Sequence, residues 1–159
     1  MFVPRPVTVD SPEEALRKTR VIWGALLAGQ TAFTGITGFL IARGNMGLEP
    51  SETSWIMTYI SFGFLVIVLP LGYFIRGFIF RRHGDGQPTP PGDYVRGTIV
   101  FLAMCEFVAL FGLVTTLVHR SFFPPAMTTL LAMTVQVLHF PDGRPMRPPA
   151  AAGGPIEPR

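Results

Sequence analysis

The sequence has few charged residues and a single cysteine, and both shortages exclude whole classes of protein. Asp, Glu, Lys and Arg make up 14% of the 159 residues, whereas a soluble globular domain carries about 25%. Cys105 has no second cysteine in the chain with which to form a disulfide or a Cys-x-x-Cys motif. Hydrophobic residues instead account for 48% of the chain, and the mean hydropathy is +0.41. This balance indicates a chain whose main solvent is lipid.

Four long apolar runs predict an all-α integral membrane protein, built as a four-helix bundle. The predicted spans are residues 21–42, 55–78, 98–118 and 122–140. A helix that rises 1.5 Å per residue needs about 20 residues to cross a bilayer. The first three runs meet that length. The fourth is short, because Pro124 and Pro125 fall in its first turn, where proline is tolerated.

Basic residues fall mostly on one side of these spans, and this asymmetry predicts the orientation. The N-terminal segment, the segment between the second and third spans, and the tail together hold Arg5, Arg17, Lys18, Arg20, Arg76, Arg81, Arg82, Arg96, Arg144, Arg147 and Arg159. The other side holds Arg43 and Arg120. Because basic loops stay in the cytoplasm, we expect both termini to be cytoplasmic and the protein to be a multi-pass protein of the cell inner membrane.

A cytoplasmic segment over residues 1–20 and a Pro/Gly-rich tail over 141–159 flank the bundle, which occupies 21–140. Ser11 and Glu14 form a helix-start pattern, in which serine caps the first turn and glutamate completes a capping box. That helix either runs straight into the first span or forms a separate amphipathic helix on the membrane surface. The tail has no apolar period, so we predict that it adds nothing to the stability of the bundle and acts, if at all, through a partner.

Small residues recur along spans one and three at alternating spacings of four and three, which places each set on one face of its helix. Such faces let helix backbones approach closely in lipid, so we predict that the two sets contact each other. The alternative is that glycine and alanine are simply common in membrane helices. The set in span one is Gly24, Ala28, Thr31, Gly35, Gly38 and Ala42. The set in span three is Thr98, Cys105, Ala109, Gly112 and Thr116, with Leu102 filling the gap.

Glu106 is the only carboxylate inside the four apolar runs. A charged side chain at bilayer depth is costly and often functional, which makes Glu106 a candidate ion- or proton-binding residue. Gln30 lies at a similar distance from the start of its own, parallel span. We therefore predict a hydrogen bond between the Gln30 amide and the Glu106 carboxyl.

Arginine and aromatic residues alternate at the end of span two. Arg76, Arg81 and Arg82 follow one another with phenylalanines between them, which is typical of an interfacial anchor and not of a nucleic-acid site. The three histidines are too far apart along the predicted topology to bind one metal ion. With no phosphate-binding loop and no catalytic triad pattern, we predict no cofactor, no metal and no catalytic residue.

Residues 103–114, Ala-Met-Cys-Glu-Phe-Val-Ala-Leu-Phe-Gly-Leu-Val, resemble the ion-carrying helix of rotary ATP synthase c subunits. In that family a membrane carboxylate is followed by small residues and a Gly-Leu-Val-like run, and it binds H⁺ or Na⁺ in a rotor ring. The resemblance implies that Glu106 binds a cation, and that Gln30 assists as a glutamine does in sodium-type members. In four-span members the carboxylate lies in the last helix, whereas here it lies in the third.

Two functions are open on the sequence. The first is a non-catalytic membrane protein, either an accessory or structural subunit of a membrane assembly or a small oligomer, in which Glu106 and Gln30 fix helix register. The second is a proton- or cation-handling protein, in which Glu106 reaches the surface through Thr115, Thr116 and His119. An enzyme acting on a lipid or quinone is the remaining alternative. Expected partners are the bilayer and other membrane subunits or further copies of the chain, and no nucleic acid.

Overall fold

The computed structural model describes residues 11–44, 52–81 and 87–147, and within these ranges the chain is all-helical. The α-helices of the described residues are α1 Pro12–Ala42, α2 Glu52–Arg81, α3 Pro91–His119 and α4 Ala126–Leu138. A short 3-10 helix, Arg144–Met146, follows α4. The helical class and the four helices predicted from the apolar runs are confirmed.

Three of the described helices are long and apolar enough to cross a membrane. α1, α2 and α3 contain 31, 30 and 29 residues, which is about 45 Å of helix each at 1.5 Å per residue. Each helix therefore continues for several turns beyond the apolar layer of a bilayer, which is about 30 Å thick.

The fourth helix is shorter than the predicted span over 122–140. α4 has 13 residues, about 20 Å of helix, and the described chain on either side of it forms turns. Proline is the cause, because it disfavours helical backbone at the residue before it. Pro125 therefore keeps Pro124 out of the helix, Pro124 does the same to Phe123, and Pro141 keeps Phe140 out of it, so that α4 ends at Leu138.

α3 is the centre of the bundle and packs against the other three α-helices of the described chain. In its most apolar 18-residue window 50% of the residues are buried, against 11% in the corresponding windows of α1 and α2. Its buried residues Phe101, Leu102 and Cys105 form a cluster that is contacted by Trp23 of α1, Leu69 of α2 and Val135 of α4. α1 and α2 therefore keep most of their surface on the outside of the protein.

α1 is one continuous helix, so the N-terminal helix start and the first span are joined without a break. The Glu14 backbone N–H donates to Ser11 Oγ at 3.1 Å, and Pro12 occupies the first turn. The Glu14 carboxylate pairs with Lys18 Nζ at 2.6 Å. Of the two alternatives that the sequence left open, the chain forms the continuous helix.

The segments that the sequence placed on one side of the membrane meet at one end of the bundle. Phe80 near the end of α2 stacks on Tyr94 in the first turn of α3, with ring centroids 5.7 Å apart. Tyr94 also forms a buried cluster with Ala15 of α1 and with Met146, which follows α4. We call this the basic end, because the described residues Arg17, Lys18, Arg20, Arg76, Arg81, Arg96, Arg144 and Arg147 lie on the segments that meet there.

The chain after α4 packs across the basic end, which argues against the prediction that the tail adds nothing to the stability of the bundle. We call residues 141–147 the strap. Met146 is 8% exposed and contacts Ala15 and Tyr94. Methionine suits this position, because its flexible side chain fills irregular gaps between other residues. Residues 148–159 of the predicted tail lie outside the described part of the chain.

Hydrogen bonds from separate segments hold the strap in place. They join Arg20 Nε to the Pro141 carbonyl at 3.1 Å, the Thr89 N–H to the Pro145 carbonyl at 2.8 Å, and the Gly143 N–H to the Tyr94 hydroxyl at 3.3 Å. Gly143 has a φ of +74°, which residues with a Cβ rarely adopt. The glycine thus supplies the turn that brings the strap backbone against Tyr94.

Candidate functional site

Glu106 lies at the border between the inner and outer faces of α3. Leu102 and Ala109, one turn away on the inner side, are fully buried, whereas Ala103 and Leu110 on the outer side are exposed. Glu106 itself is partly buried. Its carboxyl forms no hydrogen bond or ion pair with another residue in the described part of the chain. The carboxyl is therefore unpaired within the described residues, and the partial exposure of Glu106 puts the residue at the outer surface of the protein.

Gln30 lies on the inner face of α1 and is 1% exposed. Its side-chain nitrogen and oxygen have no hydrogen-bond partner among the described residues. The predicted hydrogen bond between Gln30 and Glu106 is therefore not formed. The reason is the rotation of α1 about its axis: Gln30 lies at the centre of the buried face, together with Thr19 and Thr37, whereas Glu106 lies at the edge of α3.

The small-residue stripe of span one lies on the outer face of α1, so the contact predicted between it and span three is not made within the described chain. Its members Ala28, Thr31, Gly35 and Ala42 are exposed. A Cβ added at Gly24 or Gly35 would meet no atom within 4 Å, whereas one added at Gly38 would lie 3.1 Å from the Phe122 ring. Larger residues form the inner face instead, namely Thr19, Ile22, Leu26, Gln30 and Thr37.

The small residues of span three are buried, and Ala109 and Gly112 pack against α4. A Cβ added at Gly112 would lie 2.6 Å from Thr129 Oγ1 and 2.7 Å from Thr128 Oγ1. One turn earlier, the Ala109 carbonyl accepts a hydrogen bond from Thr129 Oγ1 at 2.9 Å. The remaining members Thr98, Cys105 and Thr116 are also buried. α4 thus occupies the place that the sequence analysis assigned to the stripe of span one.

Hydroxyl groups join α2 to α3 and α4 through the interior. The Ser61 hydroxyl donates to Thr128 Oγ1 at 2.9 Å, and both residues are buried. At the end of the bundle opposite the basic end, His119 Nδ1 lies 2.9 Å from Ser54 Oγ. The Trp55 ring packs edge-on against the same imidazole, with centroids 4.7 Å apart. Hydrogen bonds of this kind hold helices together in lipid.

These buried hydroxyl residues of α2 follow a pattern that is visible in the sequence. Ser54, Thr58 and Ser61 recur within α2 at spacings of four and three, and each is 1% exposed. This is the spacing of the glycine and alanine stripes, with hydroxyl side chains in their place. Hydroxyl groups therefore mark the inner face of α2 in its first half, and Gly72, where an added Cβ would lie 2.8 Å from Met104 Sδ, marks it further along.

Gln136 of α4 is a second fully buried amide, and the sequence analysis missed it. Its side-chain nitrogen and oxygen have no hydrogen-bond partner among the described residues. Its backbone carbonyl accepts a hydrogen bond from Trp23 Nε1 at 2.9 Å, which links α4 to α1. The buried hydroxyls of Thr37 and Thr98 are likewise unpaired within the described residues.

The predicted interfacial anchor separates into an inward and an outward arginine. Arg81 at the end of α2 is exposed. Arg76 is partly buried, and its guanidinium lies 5.1 Å from the ring centre of Phe80 and 5.4 Å from that of Phe101 on α3. Both distances are within the range of cation–π contacts. Arg82 lies outside the described residues.

The two described histidines lie at opposite ends of the bundle. His119 contacts Ser54 at one end, whereas the ring of His139 lies 5.6 Å from that of Tyr73 near the basic end. Among the described residues there is no group of three or more His, Cys, Asp or Glu that could hold a metal ion. His83 lies outside them.

No family model matches the chain, and neither a curated protein nor a solved structure is significantly similar to it. The resemblance of residues 103–114 to c subunits stays a prediction. The contacts described above are therefore the basis for assigning a function.

Proposed function

We propose that the protein is a non-catalytic integral membrane protein that serves as an accessory or structural subunit of a membrane assembly. The observation that carries this proposal is the outer face of α1. Most of its small-residue stripe is exposed, and an added Cβ at Gly24 or Gly35 meets nothing within 4 Å. Because close packing on small residues drives helix association in lipid, this face suits a helix from another subunit or from a second copy of the chain.

The buried polar contacts support the same role, because they connect helices to one another. Thr129 donates to the Ala109 carbonyl across the α3–α4 contact, and Ser61 donates to Thr128 across the α2–α4 contact. Such bonds fix the rotation and register of helices that lipid alone does not order. A rigid bundle with a free outer helix face is what a structural subunit requires.

The polar residues that lead away from Glu106 bond locally. The hydroxyls of Thr115 and Thr116 donate to backbone carbonyls four residues earlier in α3, at 2.9 and 2.7 Å. His119, one turn further, is engaged with Ser54. A proton path requires a continuous chain of donors and acceptors that leads from Glu106 to the surface. Because the threonine hydroxyls bond only to the backbone of their own helix, they do not form such a chain, and this favours the structural role.

A second candidate function is proton or cation handling by Glu106. The placement of its carboxyl favours this function, because it is partly buried, unpaired within the described chain and next to exposed Phe107 and Leu110. A neighbouring subunit could reach a carboxyl in that position. Gln30 does not contribute as the second ligand within one chain, since its amide makes no hydrogen bond there.

Assembly in the native membrane tests the structural role. The full chain is extracted with an affinity tag in a mild detergent, and its mass is measured by native gel electrophoresis and native mass spectrometry. We expect a complex larger than one protomer. Gly35→Leu should disperse it, because leucine holds a second backbone away from the stripe. Gly29→Leu is the matched control, since Gly29 is exposed on α1 outside the stripe and its added Cβ also meets nothing within 4 Å.

A protomer that migrates alone in every detergent and gives no cross-links in native membranes contradicts the proposal. Equal dispersal by the two leucine substitutions would show that the stripe is not the contact surface. Glu106→Gln then separates the two candidate functions, because it keeps the volume and the hydrogen-bonding groups of the side chain. If the protein is a structural subunit, Glu106→Gln leaves both the complex and the growth of the host unchanged. If Glu106 handles a cation, the same substitution abolishes that activity while the complex remains.

A further inference from the structure

A cationic cavity opens beside Arg76, and neither candidate function uses it. The cavity has a volume of about 300 Å³ and lies at the basic end, between α2 and the chain that follows α4. Its walls include Tyr73, Arg76, Phe80, Arg81, His139 and Pro145. The walls thus carry two guanidinium groups and an imidazole, and none of these residues is acidic.

Arg76 lines this cavity, and among the described residues no carboxylate lies within ion-pair distance of it. The rings of Phe80 and Phe101 flank its guanidinium, and it forms no hydrogen bond or ion pair with another described residue. The charge of Asp142 acts on Arg76 only from beyond ion-pair distance, and Asp142 is paired with Arg144 Nε at 2.9 Å. A partly buried cation that lacks a counter-ion is costly in free energy, and an anion in the cavity would relieve that cost.

The groups around Arg76 are positioned for the same anion. His139 Nδ1 lies 2.9 Å from the Val135 carbonyl, so Nδ1 donates there and this bond fixes the orientation of the ring in the cavity wall. The His139 ring is packed against Phe101 and Tyr73, with centroids 4.9 and 5.6 Å away. Arg81 is exposed at the rim. The cavity therefore has one cation inside it, Arg76, which lies between aromatic rings, and a second cation, Arg81, on an exposed side chain at its rim.

We propose that this cavity binds the phosphate group of an anionic phospholipid. Planar guanidinium donors match the oxygens of a phosphate, and basic groups at a membrane surface attract anionic lipids. The surroundings select a lipid as the source of the phosphate. Tyr73 in the cavity wall is 60% exposed, and Phe74 and Phe78 on the outer surface of the same helix are 70% and 64% exposed. An acyl chain can lie along that apolar surface while the phosphate occupies the cavity. The inference rests on the membrane location of α2 and not on the accessory role.

Lipid-dependent stabilisation tests the inference. The full chain is purified in an uncharged detergent and stripped of lipid, and its melting temperature is followed as phosphatidylglycerol or phosphatidylcholine with identical acyl chains is added. A ligand that binds the folded state raises the melting temperature, so we expect phosphatidylglycerol to raise it at lower concentrations than phosphatidylcholine. Arg76→Gln should increase the required phosphatidylglycerol concentration roughly tenfold, and Arg81→Gln by roughly threefold.

Arg96→Gln is the matched control, because it removes the same charge at the same end of the bundle. The Arg96 side chain is 75% exposed and does not line this cavity, so its loss should change the required concentration by less than roughly twofold. Equal losses in all three variants would indicate a general effect of surface charge and overturn the inference. Equal effects of the two lipids, or equal stabilisation by inorganic phosphate alone, would also overturn it. If Arg76→Gln does not fold, the lipid preference of the unsubstituted protein and the roughly threefold shift in Arg81→Gln, set against Arg96→Gln, still decide the question.

Discussion

The Thr129 hydroxyl of α4 donates to the Ala109 carbonyl of α3 at 2.9 Å. The contact depends on Gly112, one turn further along α3, where an added Cβ would lie 2.6 Å from the same hydroxyl and 3.0 Å from the Thr129 backbone nitrogen. The missing Cβ allows the backbone of α4 to approach α3 closely enough for the bond. The glycine and the hydrogen bond therefore act as one unit that sets the distance between the two helices.

We expect Gly112→Ala to destabilise the isolated protein by about 2 kcal/mol. Forcing a methyl group against a neighbouring backbone costs about 1–3 kcal/mol, which outweighs the gain of roughly 0.5–1 kcal/mol from replacing a helical glycine. Gly35→Ala is the control, because its Cβ meets nothing within 4 Å, and it should leave stability unchanged or slightly higher. Denaturant unfolding in detergent measures both changes. Equal effects would contradict the close α3–α4 contact.

Removal of the strap should destabilise the bundle. Ending the chain after Phe140 removes the buried Met146 side chain and the hydrogen bonds to Tyr94 and Arg20, at a cost of roughly 2–4 kcal/mol. Ending it after Arg147 keeps all of these contacts and serves as the control. Thermal melting of both truncated chains gives the comparison. Equal melting temperatures for the two would restore the expectation that the tail adds nothing.

Replacing the buried Gln30 amide should stabilise the isolated protein. Gln30→Met keeps the length of the side chain and removes two buried polar atoms that have no hydrogen-bond partner among the described residues. We expect this change to raise the free energy of unfolding by about 1 kcal/mol. Glu106→Leu should cost nothing in the same assay, because no described contact of its carboxyl is lost. Unfolding in detergent checks both variants. A loss of stability in Gln30→Met would show that the amide has a partner in the folded protein.

Cysteine labelling in intact cells checks the orientation. Thr53 and Gln87 are exposed at opposite ends of the bundle, so each can carry a single engineered cysteine. The positive-inside rule predicts that Thr53→Cys reacts with a membrane-impermeant reagent from outside, and that Gln87→Cys reacts only after the cells are opened. Cys105 is 0% exposed and should stay unlabelled in both states. The reverse pattern would place the basic end outside the cell.

The sequence predicts the helices well and their rotations poorly, and α1 shows why. Lipid forces backbone groups to bond within a helix, so a long apolar run is enough to identify one. Hydrophobicity does not indicate which face of such a helix packs against protein and which faces lipid, because an apolar side chain is equally favourable in both environments. Gly35 was therefore expected inside and lies outside, whereas Gln30 and Thr37 lie at the centre of the buried face.

The packing of the strap and the exact bounds of α4, which the sequence predicted to be short but placed at 122–140, escaped prediction for a different reason. Both depend on single backbone features, the positive φ of Gly143 and the prolines on either side of α4. Periodicity averages over many residues and does not register such features. That Arg76 has no ion-pair partner among the described residues is likewise invisible in the sequence, because it depends on which side chains of α3 and the strap surround the guanidinium.

The short α4 would also give the protein an uneven fit to a bilayer. The helices α1, α2 and α3 are long enough to cross the full hydrocarbon layer, whereas the 13 residues of α4 are about 10 Å shorter than its thickness. Lipids beside α4 must tilt or shorten to cover it, at a cost of fractions of a kcal/mol for each Å of mismatch. This strain is one-sided, so it should draw the protein towards thin regions of the bilayer, or towards a neighbour that covers α4.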